Sequence, residues 1–323
     1  MSPLFRRRSE EDKQQAQERV VLAEREAERA AASLELIEQG RIPLVASERL
    51  ARFAHEHESE SAGSPPAAFS SDLEVSEWSA LARLGVAPIT QVMGSSIYHV
   101  GWQPTYYNVP TEVRVLSDAY NECRRLALGR LLEEAQTCGA DAVLGVRIEQ
   151  GAHDWAPGAI EFIALGTAAR LPQPMRDPAG ATVLSDLSGQ EYVQLCEAGM
   201  RPVGIAAHTS VHYVPATGQT QMAQAQGWGS SWSNQELLDF SQGVYEAREK
   251  AMGSVTAQVR ELGGDGVIGV ELSQSGRTHD VRRSMVDSKD LEVTFHAMGT
   301  VVREDPTLAV DPQAAPLKVL FLD

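Results

Sequence analysis

One stretch of this 323-residue chain occurs twice. GADAVLGVRIE at 139–149 returns as GGDGVIGVELS at 263–273. An internal repeat limits the fold before any motif does, because each copy has to build the same supersecondary unit. The repetition runs further. SDLEVSE at Ser71 matches SDLSGQE at Ser185, an offset of 185 − 71 = 114, which also pairs Gly85 with Gly199, Pro88 with Pro202 and Val100 with Val214. The offset then becomes 124 and pairs Arg124 with Arg248, Ala127 with Ala251 and Gly139 with Gly263. Phe162, Ala164, Gly166 and Thr167 finally meet Phe295, Ala297, Gly299 and Thr300 at 133. The second copy therefore carries 124 − 114 = 10 and then 133 − 124 = 9 additional residues. The pattern predicts a duplicated chain with repeats over 69–171 and 183–303. An N-terminal helical extension (1–54), linkers at 55–68 and 172–182, and a tail at 304–323 ending in a short strand complete it.

Each repeat reads as the same series of elements. A short helix stops at Gly85, or Gly199, where glycine accepts the left-handed conformation that ends helices. A strand follows, over 89–100 and 203–214. The next segment carries Val113, Leu116, Tyr120, Cys123, Ala127, Leu131, Ala135 and Cys138 at spacings of three and four, which is one face of a long helix. The second copy repeats it as Leu237, Phe240, Val244, Ala247, Ala251, Val255, Val259 and Leu262. Pro110 is suited to open the first of these helices, and SNQE at 233–236 to cap the second. Two strands close the unit, with Ala142, Leu144, Val146 and Ile148 on one face and Ile160, Phe162, Ala164 and Gly166 likewise. The expected class is α+β, duplicated strand-helix-strand-strand units with a helix on an antiparallel sheet.

The segment RRLALGRLLEEAQTCGADAVLGVRIE, followed by EFIALGTA, resembles the YbjQ family, which carries a heavy-metal-binding label. The second copy is similar through AREKAMGSVTAQVRELGGDGVIGVELS and TFHAMGTV. The resemblance implies a dodecin-like subunit and assembly into closed rings, with pentamers as the familiar form. It implies no known activity.

Composition narrows the function classes. The net charge of −16 leaves no basic footprint for nucleic acid beyond Arg6–Arg8. No stretch has the roughly 18 apolar residues of a membrane helix, and the first residues lack the apolar centre of a secretion signal. Three cysteines make no disulfide framework. A cytoplasmic setting is the expectation.

The metal label can be weighed against the residues. Cys123, Cys138 and Cys196 lie where the other copy has Ala247, Leu262 and Ala82, so they read as small core residues. His208 and His212, four apart on a strand, are about 13 Å from each other and cannot share an ion. The HEHE run at 55–58 sits in linker composition. His153-Asp154 and His279-Asp280 recur in the two expected hairpin loops, and would need completion by a neighbouring subunit. No GxSxG, HExxH, CxxC or Walker loop is present. Aromatic residues crowd the connections instead: Trp102, Tyr106, Tyr107, Trp155, Trp228 and Trp232 are the interface candidates, since Trp and Tyr favour such places. Val20, Ala23, Ala27, Ala30, Leu34 and Ile37 form a short heptad seam, and LKVLFLD at 317–323 is suited to join a neighbour's sheet edge. The expected function is a non-enzymatic, cytoplasmic, homo-oligomeric assembly protein without a resident cofactor. The alternative is a metal or small-ligand binder with sites between subunits.

Overall fold

The computed structural model describes residues 3–56, 69–101, 107–152, 158–224, 234–283, 286–305 and 307–308. They fall into two compact units, Met1–Ala67 and Ala68–Asp323. The first holds α1 (Pro3–Glu38) and α2 (Leu44–Glu56). Arg29 pairs with Glu48 between the two helices, and Ile42 and Leu50 are buried. The heptad residues Val20, Leu34 and Ile37 are exposed within this unit.

The second unit is α+β. It runs α3 (Val75–Arg83), β1 (Ala87–His99), β2 (Thr111–Glu112), α4 (Arg114–Thr137), β3 (Ala142–Ala152) and β4 (Ala159–Arg170). It continues with β5 (Val183–Leu184), α5 (Gly189–Glu197), β6 (Met200–Val214), α6 (Gly218–Gln224), α7 (Leu238–Glu261), β7 (Gly266–Arg283) and β8 (Val286–Glu304). Two four-stranded sheets result, in the orders β1-β4-β3-β5 and β2-β6-β8-β7. All pairings are antiparallel except β5 on β3.

The ladders keep the sequence offsets. The β1–β4 register shifts between Pro88 and Thr90, and the β6–β8 register between Pro202 and Gly204. The β3–β4 register shifts between Leu144 and Arg147, and β7–β8 between Ile268 and Glu271. At each of the latter a glycine takes a left-handed φ, +62° at Gly145 and +63° at Gly269. A bulge inserts one residue and breaks period two. This corrects the alternation read for 142–149: Ala142, Val143, Leu144 and Val146 are all buried.

The SDL motifs have matching jobs. Ser71 Oγ lies 3.1 Å from Thr167 Oγ1, and Ser185 Oγ 3.1 Å from Thr300 Oγ1. Thr167 and Thr300 donate to Asp72 and Asp186. Glu77 and Glu191 then complete capping boxes at the starts of α3 and α5. The first motif is thereby tied to β4 and the second to β8.

Small side chains let the helices approach the sheets. Cys123, Ala127, Leu131 and Ala135 of α4, and Ala247, Ala251 and Val255 of α7, are removed from solvent. The Cys123 thiol donates to the carbonyls of Ser96 and Ile160, 3.2 and 3.4 Å away. Cys123→Ala, the residue found at the matching position 247, is expected to cost about 1 kcal/mol in urea denaturation and to leave the assembly state unchanged. Loss of a stoichiometric metal on this one change would contradict a structural role.

Several local expectations are corrected. Pro110 does not open α4. Thr111 and Glu112 first pair with β6, and Val113 N donates to Val211 O over 2.7 Å, so the helix begins at Arg114. SNQE does not cap α7, which starts at Leu238 after Leu237 and has no side-chain cap. Leu262 is exposed although Cys138 is buried. His279 and Asp280 are not in a loop, because the β7–β8 ladder continues past them to Arg283 and Val286. His153, Asp154, Trp102, Tyr106, Trp155, Trp228, Trp232, the end of the HEHE run and the 317–323 run lie outside the described residues.

Candidate functional site

The most developed polar site is the seam where the two sheets meet. Two contacts build it, and both cover a strand edge. In the first, the start of α4 runs along the outer edge of β6. Ser117 Oγ accepts from Val211 N at 3.0 Å. Asn121 accepts from Thr209 N at 2.8 Å through Oδ1 and donates to Thr209 O at 2.9 Å through Nδ2, imitating a strand partner. In the second, β5 joins β3 in parallel: Ser185 N donates to Val143 O at 2.9 Å, and Gly145 N and Val146 N donate to Leu187 O and Ser185 O. Behind β5, α5 packs on α3. Tyr192, Val193 and Cys196 share a core with Ala80, Leu81, Ala142 and Leu144.

At the centre of the first contact Arg124 is buried, with no carboxylate partner among the described residues. Its guanidinium donates to Thr209 Oγ1 and Asn121 Oδ1, and stands 5.4 Å from the Phe162 ring centre. Thr209 Oγ1 is 2.8 Å from His296 Nδ1. The hydroxyl accepts from Arg124 through one of its two lone pairs, and the direction of its bond with Nδ1 follows the histidine tautomer. Burial, reinforced by Arg124, holds the His296 pKa down at about 4. Burial also lowers Arg124 to about 10, still charged at neutral pH. Tyr120 stacks edge-on against both Phe162 and His296. Arg124, Ile148, Gln150, Phe162, His296 and Met298 line a cavity of about 130 Å³ here.

Of the interface candidates, Tyr107 is placed at this seam, with its ring 5.2 Å from that of Tyr213. His279 faces Glu292, 3.2 Å away, and Tyr213, while Asp280 faces Lys289 at 3.3 Å. His208, Ser210 and His212 lie along β6 with His208 Nε2, Ser210 Oγ and His212 Nε2 buried and without hydrogen-bond partners among the described residues. Burial lowers the pKa of both histidines. It pushes the Cys123 thiol up and that of Cys196 up to about 12, so neither is a ready thiolate. Among the described residues no group of three or more Cys, His, Asp or Glu gathers, so they supply no donor set for a metal ion. Sequence reading missed Arg124 as a site residue. The signal was there: Ser117, Asn121 and Arg124 form a polar stripe at steps of four and three beside the apolar one.

Residues 89–172, the span of β1 through β4, match the YbjQ family, described as "Putative heavy-metal-binding". Over 238 residues the chain is 34% identical to the "Encapsulin nanocompartment protein Rv1762c" of Mycobacterium tuberculosis, covering 73% of this chain and 86% of that protein. The chain belongs to that protein's family. Shorter relatives include UPF0145 proteins of Methanococcus vannielii and Clostridium novyi, 42% and 40% identical over 60 residues. Those matches cover 19% of this chain and 55% and 56% of theirs. The family match of 238 residues is too long to lie within one strand-helix-strand-strand unit. No helix among the described residues is long and apolar enough to cross a membrane.

Proposed function

We propose that the chain is a non-enzymatic, self-assembling shell or scaffold protein of the cytoplasm, built from two YbjQ-like units that arose by duplication. One observation carries the reading: the similarity to an encapsulin nanocompartment protein runs over 238 residues, 73% of the chain. The equal registers and equal bulges at offsets of 114, 124 and 133 support the duplication. The assembly is a closed homo-oligomer of five chains or a multiple of five, with room for a protein cargo. Trp102, Tyr106, Trp155, Trp228 and Trp232 are offered as further contact residues of that assembly. Native mass spectrometry of the full chain tests the proposal. The expected spectrum shows one closed multi-chain species, and a monodisperse 35.0 kDa monomer at micromolar concentration would overturn it.

A second reading is favoured by the unpartnered His208, Ser210 and His212 and by the seam cavity. These polar groups suit a small polar ligand held inside the assembly. His153 and Asp154 from neighbouring copies, with His279 and Asp280, are the corresponding metal candidates. Elemental analysis of protein purified without an affinity tag checks the metal form; less than one ion per chain removes it.

A further inference from the structure

Each edge-covering contact inside the chain has a counterpart that the other described residues leave largely exposed. β5 and α5 cover the outer edge of β3. The matching segment of the first repeat (69–171) is 69–83, and the matching edge is that of β7, which is outermost in its sheet. Exposure tracks this difference. Val183 and Tyr192 are 7% and 1% exposed, whereas Phe69 and Trp78, 114 residues earlier, are 58% and 43% exposed. On the receiving side Leu144 is 0% exposed and Ile268, 124 residues later, is 36%.

The other contact behaves in the same way. The start of α4 covers the outer edge of β6, so Val211 is 0% exposed. Its counterpart Ile97 lies on β1, also an outermost strand, and is 54% exposed. Ser117, Asn121 and Arg124 of α4 correspond to Ser241, Tyr245 and Arg248 of α7, where Tyr245 projects into solvent. Open edges with exposed apolar side chains are templates for pairing. Here the exposed stretches of the two receiving edges and the exposed faces of the two covering segments are complementary.

We infer that copies of this chain join head to tail by repeating the internal seam. Residues 69–83 of one copy seat on the β7 edge of the copy before it, and the start of that preceding copy's α7 runs along the first copy's β1. The occupant of both open edges is thus a second copy of this chain. The contact is heterologous: different surfaces meet, so it propagates until it closes. The inference rests on the self-assembly reading and says which surfaces perform it.

The internal register fixes the partners. Ala142 pairs with Val183 and Val143 with Leu184 inside the chain, so Gly266 is to face Phe69, and Val267 Ser70, across copies. The double variant Ser70→Cys/Val267→Cys, oxidised at assembly concentration, is expected to give disulfide-linked dimers and longer ladders on a non-reducing gel. Neighbouring strands bring Cα atoms within disulfide range, and the three native cysteines are buried. The in-chain pair Val143→Cys/Leu184→Cys is the control and links without a change of mass. In parallel, Trp78→Asp and Ile268→Asp, both at exposed positions, are expected to reduce the scattering mass to that of one chain at unchanged circular dichroism. A wild type that assembles, with no cross-copy ladder and with both aspartate variants still assembled, overturns this interface and leaves self-assembly standing. A wild type that is monomeric overturns both.

Discussion

Gly94→Ala is expected to destabilise the second compact unit by about 3 kcal/mol or more, a large share of a typical domain's stability. A Cβ at Gly94 would lie 2.0 Å from Ala127 O and 2.5 Å from Leu131 N. Both are backbone atoms in the middle of α4, so no side chain can swing aside. The helix would have to lift off β1, and with it Cys123, Ala127 and Leu131, which pack there without a gap. The matching position in the second unit holds His208, so α7 crosses β6 with room for a side chain where α4 crosses β1 with none. Gly129→Ala is the control. Nothing lies within 4 Å of a Cβ there, and alanine in a helix interior is favoured by about 0.5–1 kcal/mol. Urea denaturation of the two variants should move in opposite directions. A Gly94→Ala protein as stable as wild type would mean that α4 does not sit this close.

Acid should reveal two opposed groups that hide one another. His296 is held at about 4 against an ordinary 6.5, so in the native state it refuses a proton that the unfolded chain accepts. Its contribution is complete above pH 6.5 and is lost as pH falls toward 4, about 3 kcal/mol in all. Asp186 has the opposite sign. Burial, only partly offset by the hydrogen bond from Thr300, raises it to about 6 from 3.8. Its contribution is complete below pH 3.8 and is lost as pH rises through 6, again about 3 kcal/mol. Between pH 6.5 and 4 the two nearly cancel, leaving a shallow wild-type profile whose residual loss comes from His208 and His212, also lowered by burial. Asp186→Asn keeps an acceptor for Thr300 and removes the titration. That variant should lose about 3 kcal/mol more than wild type over the interval, and His296→Gln should instead gain stability as pH falls. Denaturation midpoints at half-unit pH steps decide the matter. An Asp186→Asn profile parallel to wild type would show that Asp186 binds its proton no more tightly in the native state than in the unfolded chain.

Much of this fold could be read from residue spacing. The apolar stripe from Val113 to Cys138 is the buried face of α4, and the offsets locate matching strands, bulges and capping boxes. Periodicity sees only what repeats along one element. It could not see that Gly145 opens a bulge, since a left-handed glycine is set by the neighbouring strand. Nor could it see that Thr111–Val113 joins β6 before α4 begins, because a two-residue pairing carries no period. Histidine and aspartate side by side at 279–280 suggested a loop, and the cross-strand partners Asp290 and Lys289 turn that segment into ladder. The seam was half visible. Arg124 was matched to Arg248 as a sign of repetition, yet the same arginine is buried in one unit and exposed in the other. That asymmetry depends on what lies beside each helix, which is a property of the pair and not of either copy.

Carrying two units in one chain also sets an arithmetic condition. If every seam is alike, a closed ring contains twice as many units as chains, and the turn from one unit to the next must be 360° divided by an even number. Under that condition five units, with 72° between them, cannot close a ring, although five chains can close as ten units at 36°. Covalent linkage selects among symmetries by parity alone. Within such a ring the extended β7–β8 hairpin and α6 recur at every second position, so one ring presents two unlike sets of surfaces in strict alternation.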